Sequence, residues 1–259
     1  MRHLGKNSPL PSAPDPSLLE AVPRALRSHA FGCDVWHAYE VSAYGEGGIS
    51  AHGVLKIKYD ASTDFIVESK SLKLYLYSLS KALFGTTPED ACRGFEFAVR
   101  EDLEGLLGVN VDAQFFTGIT TSHELLDGYE ILEACRSFCP NKSRTVKVAS
   151  HAIATLCPVT GQPDFGTLLL QITGEHLPTR DEVLEIVHNL RGKRAFHEEV
   201  ADYLYGLFQK RYTPEMLLVG CLYTRRGGID ICPVRYSHVE LEPTLLTSIN
   251  TLPPQTFRR

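Results

Sequence analysis

Apolar residues recur along this chain at two spacings that alternate in blocks. Phe31 to Tyr44 is strand-like, with Val, Tyr and Trp among its residues, and Val54-Leu55-Lys56-Ile57-Lys58-Tyr59 alternates apolar and polar in the period of a half-buried strand. The glycines at 45, 47 and 48 predict a turn between them, and Phe65-Ile66-Val67 predicts a short buried strand. From Ser69 the spacing changes to three and four, with Leu72, Leu76, Leu79 and Leu83 on one helical face and Gly85 as the stop. A second helix is predicted from Thr87, an N-cap followed by Pro88 at the first helical position, to about Leu107. Val109 to Gly118 returns to strand, and a further strand is expected near Tyr129.

The same order then repeats. Thr145 to Leu156 and Gly166 to Thr173 read as strands, and Thr179 with Glu182 three residues on reads as a capping box that opens a helix ending near Gly192. A further helix runs from about Phe196 to Arg211 and stops before Pro214. Leu217 to Tyr223 and Ile229 to Val234 are the closing strands, joined across Arg225-Arg226-Gly227-Gly228. Two strands, two helices and two strands found twice predict an α+β protein made by duplication of one unit. The expected organisation is a flexible Pro-rich leader over 1–30, modules over 31–140 and 141–240 joined somewhere in 125–144, and a tail over 241–259.

Composition narrows the function classes. With 26 Lys+Arg against 31 Asp+Glu, the net charge is −5, so no broad basic surface for nucleic acid or anionic membrane is implied. The seven cysteines, at 33, 92, 135, 139, 157, 221 and 232, are odd in number and irregular in spacing, unlike a secreted disulfide framework. The first 24 residues carry five prolines and no apolar signal core, and nowhere do about 18 apolar residues run together. A reduced cytoplasmic protein is expected.

Four segments could carry chemistry. Cys157 opens the turn-rich run Cys157-Pro158-Val159-Thr160-Gly161-Gln162-Pro163-Asp164-Phe165 between two strands. A loop thiol with a carboxyl seven residues on suits addition of sulfur to an electrophilic carbon, followed by proton delivery; the same spacing also fits a buried thiol and a turn aspartate. His197-Glu198 opens a helix, where a carboxylate fits simple capping or acceptance of hydrogen bonds from a purine edge, with Phe196 available to stack. Glu68-Ser69-Lys70-Ser71 marks a strand-to-helix junction that fits a Ser N-cap or a phosphate site. Arg225-Arg226-Gly227-Gly228 fits a hairpin turn or a turn presenting guanidiniums to phosphate. No G-x-G-x-x-G, Walker loop or H-E-x-x-H occurs, and Cys135 and Cys139 lack a second close pair for zinc, so no metal is expected.

Taken together, V-E-S-K-S-L-K-L-Y-L-Y-S at 67–78, C-P-V-T-G-Q-P-D-F-G at 157–166, F-H-E at 196–198 and Y-T-R-R-G-G-I-D-I at 223–231 closely resemble the NADPH-dependent 7-cyano-7-deazaguanine reductases. These are the nitrile reductases of queuosine biosynthesis, and the long, two-module branch is the better match. The resemblance implies the tunnelling fold, in which each module is an antiparallel sheet with two helices packed on one face. It implies that Cys157 adds to the nitrile carbon to give a covalent thioimide, that Asp164 donates a proton, and that two NADPH in succession deliver hydrides. Val67, Glu68, Ser69, His197 and Glu198 would hold the deazaguanine, while Ser69, Lys70, Arg226 and Gly227 would contact NADPH. A homodimer without direct nucleic-acid contact is expected. The chain departs from the family pattern at Cys232 and Val234, and carries Phe165 where Trp is also common. Rival readings are a hydrolytic pterin or purine enzyme of the same fold, which would want a Cys/His zinc site; a cysteine hydrolase; and a silent purine-binding protein, which should have lost Cys157 or Asp164.

Overall fold

The structure is a computed structural model that describes residues 2, 3, 5, 9–28, 30–134 and 144–255. Cys135, Cys139 and part of the expected module junction lie outside the described residues. The long strands are β2 (Phe31–Tyr44), β3 (Ser50–Asp60), β5 (Val111–Phe116), β7 (Thr145–Leu156), β8 (Pro163–Thr173), β9 (Met216–Tyr223) and β10 (Ile229–Tyr236). With β6 (Glu130–Ile131) they form one eight-stranded sheet in the order β5-β3-β2-β10-β9-β8-β7-β6. All pairs are antiparallel except β6 with β7. A two-stranded ribbon pairs β1 (Ala21–Pro23) with β4 (Phe65–Val67).

The helices follow the sequence pattern closely. Helix α2 (Pro88–Leu107) buries Ala91, Phe95, Val99, Leu103 and Leu107, a stripe spaced by four. Each large side chain on that stripe contributes roughly 1.5–3 kcal/mol of burial. Thr87 accepts from Asp90 N at its start, and Gly108 ends it at φ +69°. Helix α3 (Arg180–His188) carries the expected Thr179/Glu182 capping box, and α4 (His197–Tyr212) follows it. Helix α1 (Ser69–Leu79) is one turn shorter than the leucine spacing predicts. After Leu79 the amides of Lys81 and Ala82 bond three residues back, Phe84 N reaches Tyr44 O, and Leu83 turns out to solvent.

Helices α1 and α2 pack with β2, β3 and β5 around Trp36, Leu55, Ile57 and Phe95. Helices α3 and α4 pack with β7, β8 and β9 around Leu168, Leu170, Val200 and Phe208. The opposite face of the sheet carries a third cluster that includes Val35, Leu169, Leu218 and Val234, covered by Leu125, Leu241 and Leu246. The α+β reading and the repeated strand-strand-helix-helix-strand order both hold. The strand near Tyr129 is different from expectation. β6 pairs with β7 at the far edge of the sheet, and Leu132 beside it is buried in the α3–α4 cluster. The first unit therefore contributes only β2, β3 and β5.

Part of the proline-rich leader is built into the fold rather than left flexible. The β1–β4 ribbon seats Leu19 and Val22, and Arg24 enters a buried ionic cluster. Arg24 contacts Asp34 on β2 and, at 3.3 Å, Asp202 on α4; Arg235 on β10 contacts the same two carboxylates at 2.9 and 2.8 Å. Two guanidiniums against two carboxylates leave the cluster neutral, so desolvation is offset only while all four are present. The tail is packed as well, since Lys56 Nζ on β3 donates to the carbonyls of Ser248 and Thr251 at 2.8 Å. Arg24→Ala should cost about 3–5 kcal/mol, because it leaves a buried carboxylate uncompensated. Urea unfolding of the variant measures this, and a loss below 1 kcal/mol would show that water replaces the guanidinium.

Candidate active site

The loop that carries Cys157 is short and pinned. β7 and β8 pair as far as Leu156 with Pro163, so only residues 157–162 lie outside the ladder. Cys157 N donates to Gln162 O at 2.9 Å and Gly161 N to Cys157 O at 3.0 Å. Gly161 closes this turn at φ +67°, which a side-chain-bearing residue adopts only with strain. Leu156 N donates to Lys193 O and Ala195 N to Leu156 O, which draws the start of α4 against the thiol loop. Cys157 is 9% exposed and lines a cleft of about 210 Å3 on the helix-bearing face of the sheet.

Asp164 lies on β8, opposite Thr155, and not in the loop as its neighbours suggest. The register aims its carboxylate into the same cleft. Arg226 Nη1 donates to Asp164 Oδ1 at 2.6 Å, and His197 Nε2 is 3.5 Å from Oδ2. Arg226 also contacts the Gln162 side chain. Burial pushes the Asp164 carboxyl up, but hydrogen bonds and charge from His197 and Arg226 outweigh it and hold the group below the usual carboxylate range. The His197 ring stacks on Tyr223 at 3.7 Å and 9°, and the Tyr223 hydroxyl meets Thr155 Oγ1 at 3.2 Å.

Glu198 has the opposite environment. The capping that its position suggests is done by its neighbour: Phe196 N donates to Glu199 Oε2 at 3.2 Å. Glu198 is 2% exposed, and its Oε1 has no partner among the described residues. Burial, reinforced by the nearby Asp34 charge, pushes its pKa up to about 8. At the junction before α1 the cap is Glu68 and not a serine. Its two oxygens accept from Lys70 N and Ser71 N at 2.8 Å, so the anion at this helix N-terminus is the protein's own carboxylate. Glu68 is therefore the one marked residue off the cleft wall; Val67, Ser69, Lys70, Cys157, Asp164, His197, Glu198, Arg226 and Gly227 all line it. Lys73, one turn after Ser69, adds a third cation to the wall. Sequence reasoning missed Lys73, Trp36 and the isoleucines at 229 and 231, which read as ordinary helix and strand positions.

Comparison with known proteins bears on this arrangement. A family model described as "Nitrile reductase, 7-cyano-7-deazaguanine-reductase N-term" matches residues 11–115. A relative from Acinetobacter baumannii, named NADPH-dependent 7-cyano-7-deazaguanine reductase, is 30% identical over 93% of this chain and 94% of its own length. The chain belongs to the 7-cyano-7-deazaguanine reductase family. Family members of the same name from Psychrobacter cryohalolentis and Rickettsia canadensis are 32% and 30% identical, over 82% and 90% of this chain and 82% and 91% of their own. A solved archaeosine synthase described as QueF-like, in its apo form, aligns at 18% identity over 38% of this chain and 96% of its own, with a TM-score of 0.35.

The reductase motifs thus converge on one cleft from four separate elements. The departure at Cys232 falls elsewhere, on the opposite sheet face, where Cys232 Sγ lies 3.5 Å from Asp230 Oδ1 and His37 Nδ1 lies 2.7 Å from the same oxygen. These three side chains are the group among the described residues whose ligand atoms lie close enough to hold a metal ion, and hydrogen bonds join them as they stand. Cys33, Cys92, Cys157, Cys221 and Cys232 are all thiols.

The raised Glu198 pKa has a measurable sign. Its folded value stands above the ordinary 4.5, so the folded protein binds more protons than the unfolded chain between those values. Stability from the neutral form is complete below pH 4.5 and is lost as pH rises through about 8. Glu198→Gln, with no proton to lose, should match wild type at low pH and be the more stable protein at about pH 9. Urea midpoints across this range decide it; parallel curves would mean that Glu198 keeps its charge in the folded state.

Proposed function

We propose that this protein reduces the nitrile of 7-cyano-7-deazaguanine to the aminomethyl group through a covalent Cys157 thioimide, with NADPH as reductant, in queuosine biosynthesis. The observation that carries the reading is the convergence of a thiol, an ionised carboxylate and a buried carboxyl with one unpartnered oxygen on one cleft with cations along its wall. A nitrile carbon is a soft electrophile suited to sulfur. The Cys157 sulfur–carbon bond forms as one carbon–nitrogen π bond opens, and the nitrogen takes a proton. Asp164 starts ionised, which suits it to accept the thiol proton and pass it to that nitrogen.

The wall fits an anionic dinucleotide, since Lys70, Lys73 and Arg226 face the cleft from two elements. Those side chains would hold NADPH, and the chemistry it would supply when bound is hydride to the thioimide carbon. Each hydride reaching carbon would be matched by one proton; between the two, the carbon–sulfur bond would break with its electron pair returning to Cys157, which takes a proton, and an imine would be left for the second reduction. Arg226 has two tasks in this account: it keeps Asp164 ionised while the cleft is empty, and it meets cofactor phosphate when the cleft is filled. His197, held flat on Tyr223, fixes the other Asp164 oxygen. Glu198, with its free Oε1, accepts from the ring N–H groups of the base, joined by Val67 and Ser69 on the same wall, while Glu68 caps the helix behind them. The chain divides into modules near residue 140, which two separate hydrophobic clusters support, and it works as a homodimer in the cytoplasm. No helix among the described residues is long and apolar enough to cross a membrane.

Purified protein should oxidise two NADPH per nitrile reduced, in the presence of chelator. Intact-mass spectrometry should show an adduct of the base on wild type and none on Cys157→Ala. Asp164→Asn should lower turnover by about 10²–10⁴. Normal turnover by Asp164→Asn, or an adduct on Cys157→Ala, overturns these roles.

Arg226→Ala tests the electrostatics separately. Removing the guanidinium lets the Asp164 pKa rise, so the acid limb of adduct formation should move to higher pH, and the KM for NADPH should rise more than that for NADH. An unmoved limb would mean that Asp164 does not start the reaction ionised.

A further inference from the structure

Among the described residues, six buried side-chain nitrogen or oxygen atoms have no hydrogen-bond partner, and three of them belong to residues lining this one cleft: Trp36 Nε1, His197 Nδ1 and Glu198 Oε1. The concentration points to a ligand, because buried polar atoms are nearly always paired and tryptophan N–H groups usually find an acceptor. Glu198 is accounted for by the donors of the base. Trp36 is not, and it comes from no motif that marked the site.

Trp36 stands on β2 with Ile231 of β10 directly opposite on one side and Ile57 of β3 on the other. Neither neighbour offers an acceptor. Trp36 and Glu198 are 1% and 2% exposed, so both form the floor of the cleft and not its mouth. An indole N–H donates and cannot accept, whereas the unpartnered carboxyl oxygen of Glu198 is placed to accept. The floor therefore presents one fixed donor and one acceptor, which matches a fused heterocycle with N–H groups on one edge and a carbonyl or bare ring nitrogen on another.

We infer that Trp36 is a specificity-determining residue that donates its Nε1 hydrogen to a ring acceptor of the bound deazapurine. This rests on the function proposed above and adds to it a second recognition contact, one that reads an acceptor where Glu198 reads donors. A base whose acceptor is replaced by C–H would leave the indole buried and unpaired, so the site discriminates against it.

Trp36 is the one tryptophan of the chain, so its indole gives a single resonance in a 15N-correlated proton spectrum of the whole protein. On titration with 7-cyano-7-deazaguanine that proton should move downfield, saturating at the dissociation constant that calorimetry reports. NADPH alone should leave it in place. Trp36→Phe, which keeps an aromatic floor without the donor, should bind the base on the order of 10-fold more weakly with the KM for NADPH unchanged. Base binding with an unmoved indole resonance overturns the role of Trp36 and leaves the proposed reaction standing. So does the same shift on adding NADPH alone. No calorimetric binding of the base overturns both. The spectrum is taken on wild type, so the test survives if Trp36→Phe fails to fold.

Discussion

The pairing of β2 with β10 is the constraint on which the rest of this structure depends. Eight residue pairs, from Ile229 with Ala38 to Tyr236 with Phe31, join strands nearly 200 residues apart and fuse two sheets into one. Gly32 makes the approach possible at one end, because a Cβ there would fall 2.2 Å from Val234 O. The pairing closes late in sequence and carries a large loop-entropy cost, which the surrounding burial must offset. Its consequence for the site is direct. It sets two helix pairs side by side on one face, and the cleft is the gap between them, floored by Trp36 and the isoleucines at 229 and 231.

The same seam governs charge. Asp34 on β2 and Arg235 on β10 meet beneath the cleft and recruit Arg24 and Asp202 into a neutral buried cluster. That cluster lies close enough to Glu198 for Asp34 to raise its pKa and for the two guanidiniums to oppose the rise. A segment that the sequence suggests is a loose leader thus reaches, through Arg24, the electrostatics of the base-binding carboxyl. Arg235 also touches the carbonyl of Glu198 at 3.5 Å, so the link is geometric as well as electrostatic.

What could be read in the sequence was local. Helix α2 shows its four-residue stripe, its Thr87 cap and its Pro88, and α3 its capping box, because helix signals repeat within one turn. Strand positions were legible where apolar and polar residues alternate, as in β3. Apart from the cap and the last turn of α1, the misplacements concern pairing over distance. Glu130–Ile131 looks like the end of the first unit, yet its partner is β7. Asp164 follows a proline-rich turn and looks like loop, but the ladder to Thr155 resumes at once. Arg24 is an ordinary basic residue until strands from both ends of the chain surround it. The site was legible in its motifs, since the thiol and both carboxylates needed no structure to be singled out. The floor was not: Trp36 in a strand reads as core, and it is core except for one nitrogen.

The two carboxylates of the cleft show why that floor matters. Asp164 and Glu198 are both at least nine-tenths buried and both face the same space, yet their environments push them in opposite directions. Asp164 is met by Arg226 and His197 and stays charged. Glu198 has no cation within hydrogen-bond reach among the described residues, and burial with Asp34 behind it outweighs the more distant Arg24 and Arg235 and holds it neutral until about pH 8. Two like groups with separated pKa values can take separate roles, one moving protons and one holding the base. A neutral Glu198 can both donate and accept; a charged one only accepts. Ring N–H groups favour the charged form, so arrival of the base should draw the Glu198 pKa down and expel a proton. Recognition and ionisation of Glu198 are then one event, driven by a ligand whose N–H groups replace the water that burial removed.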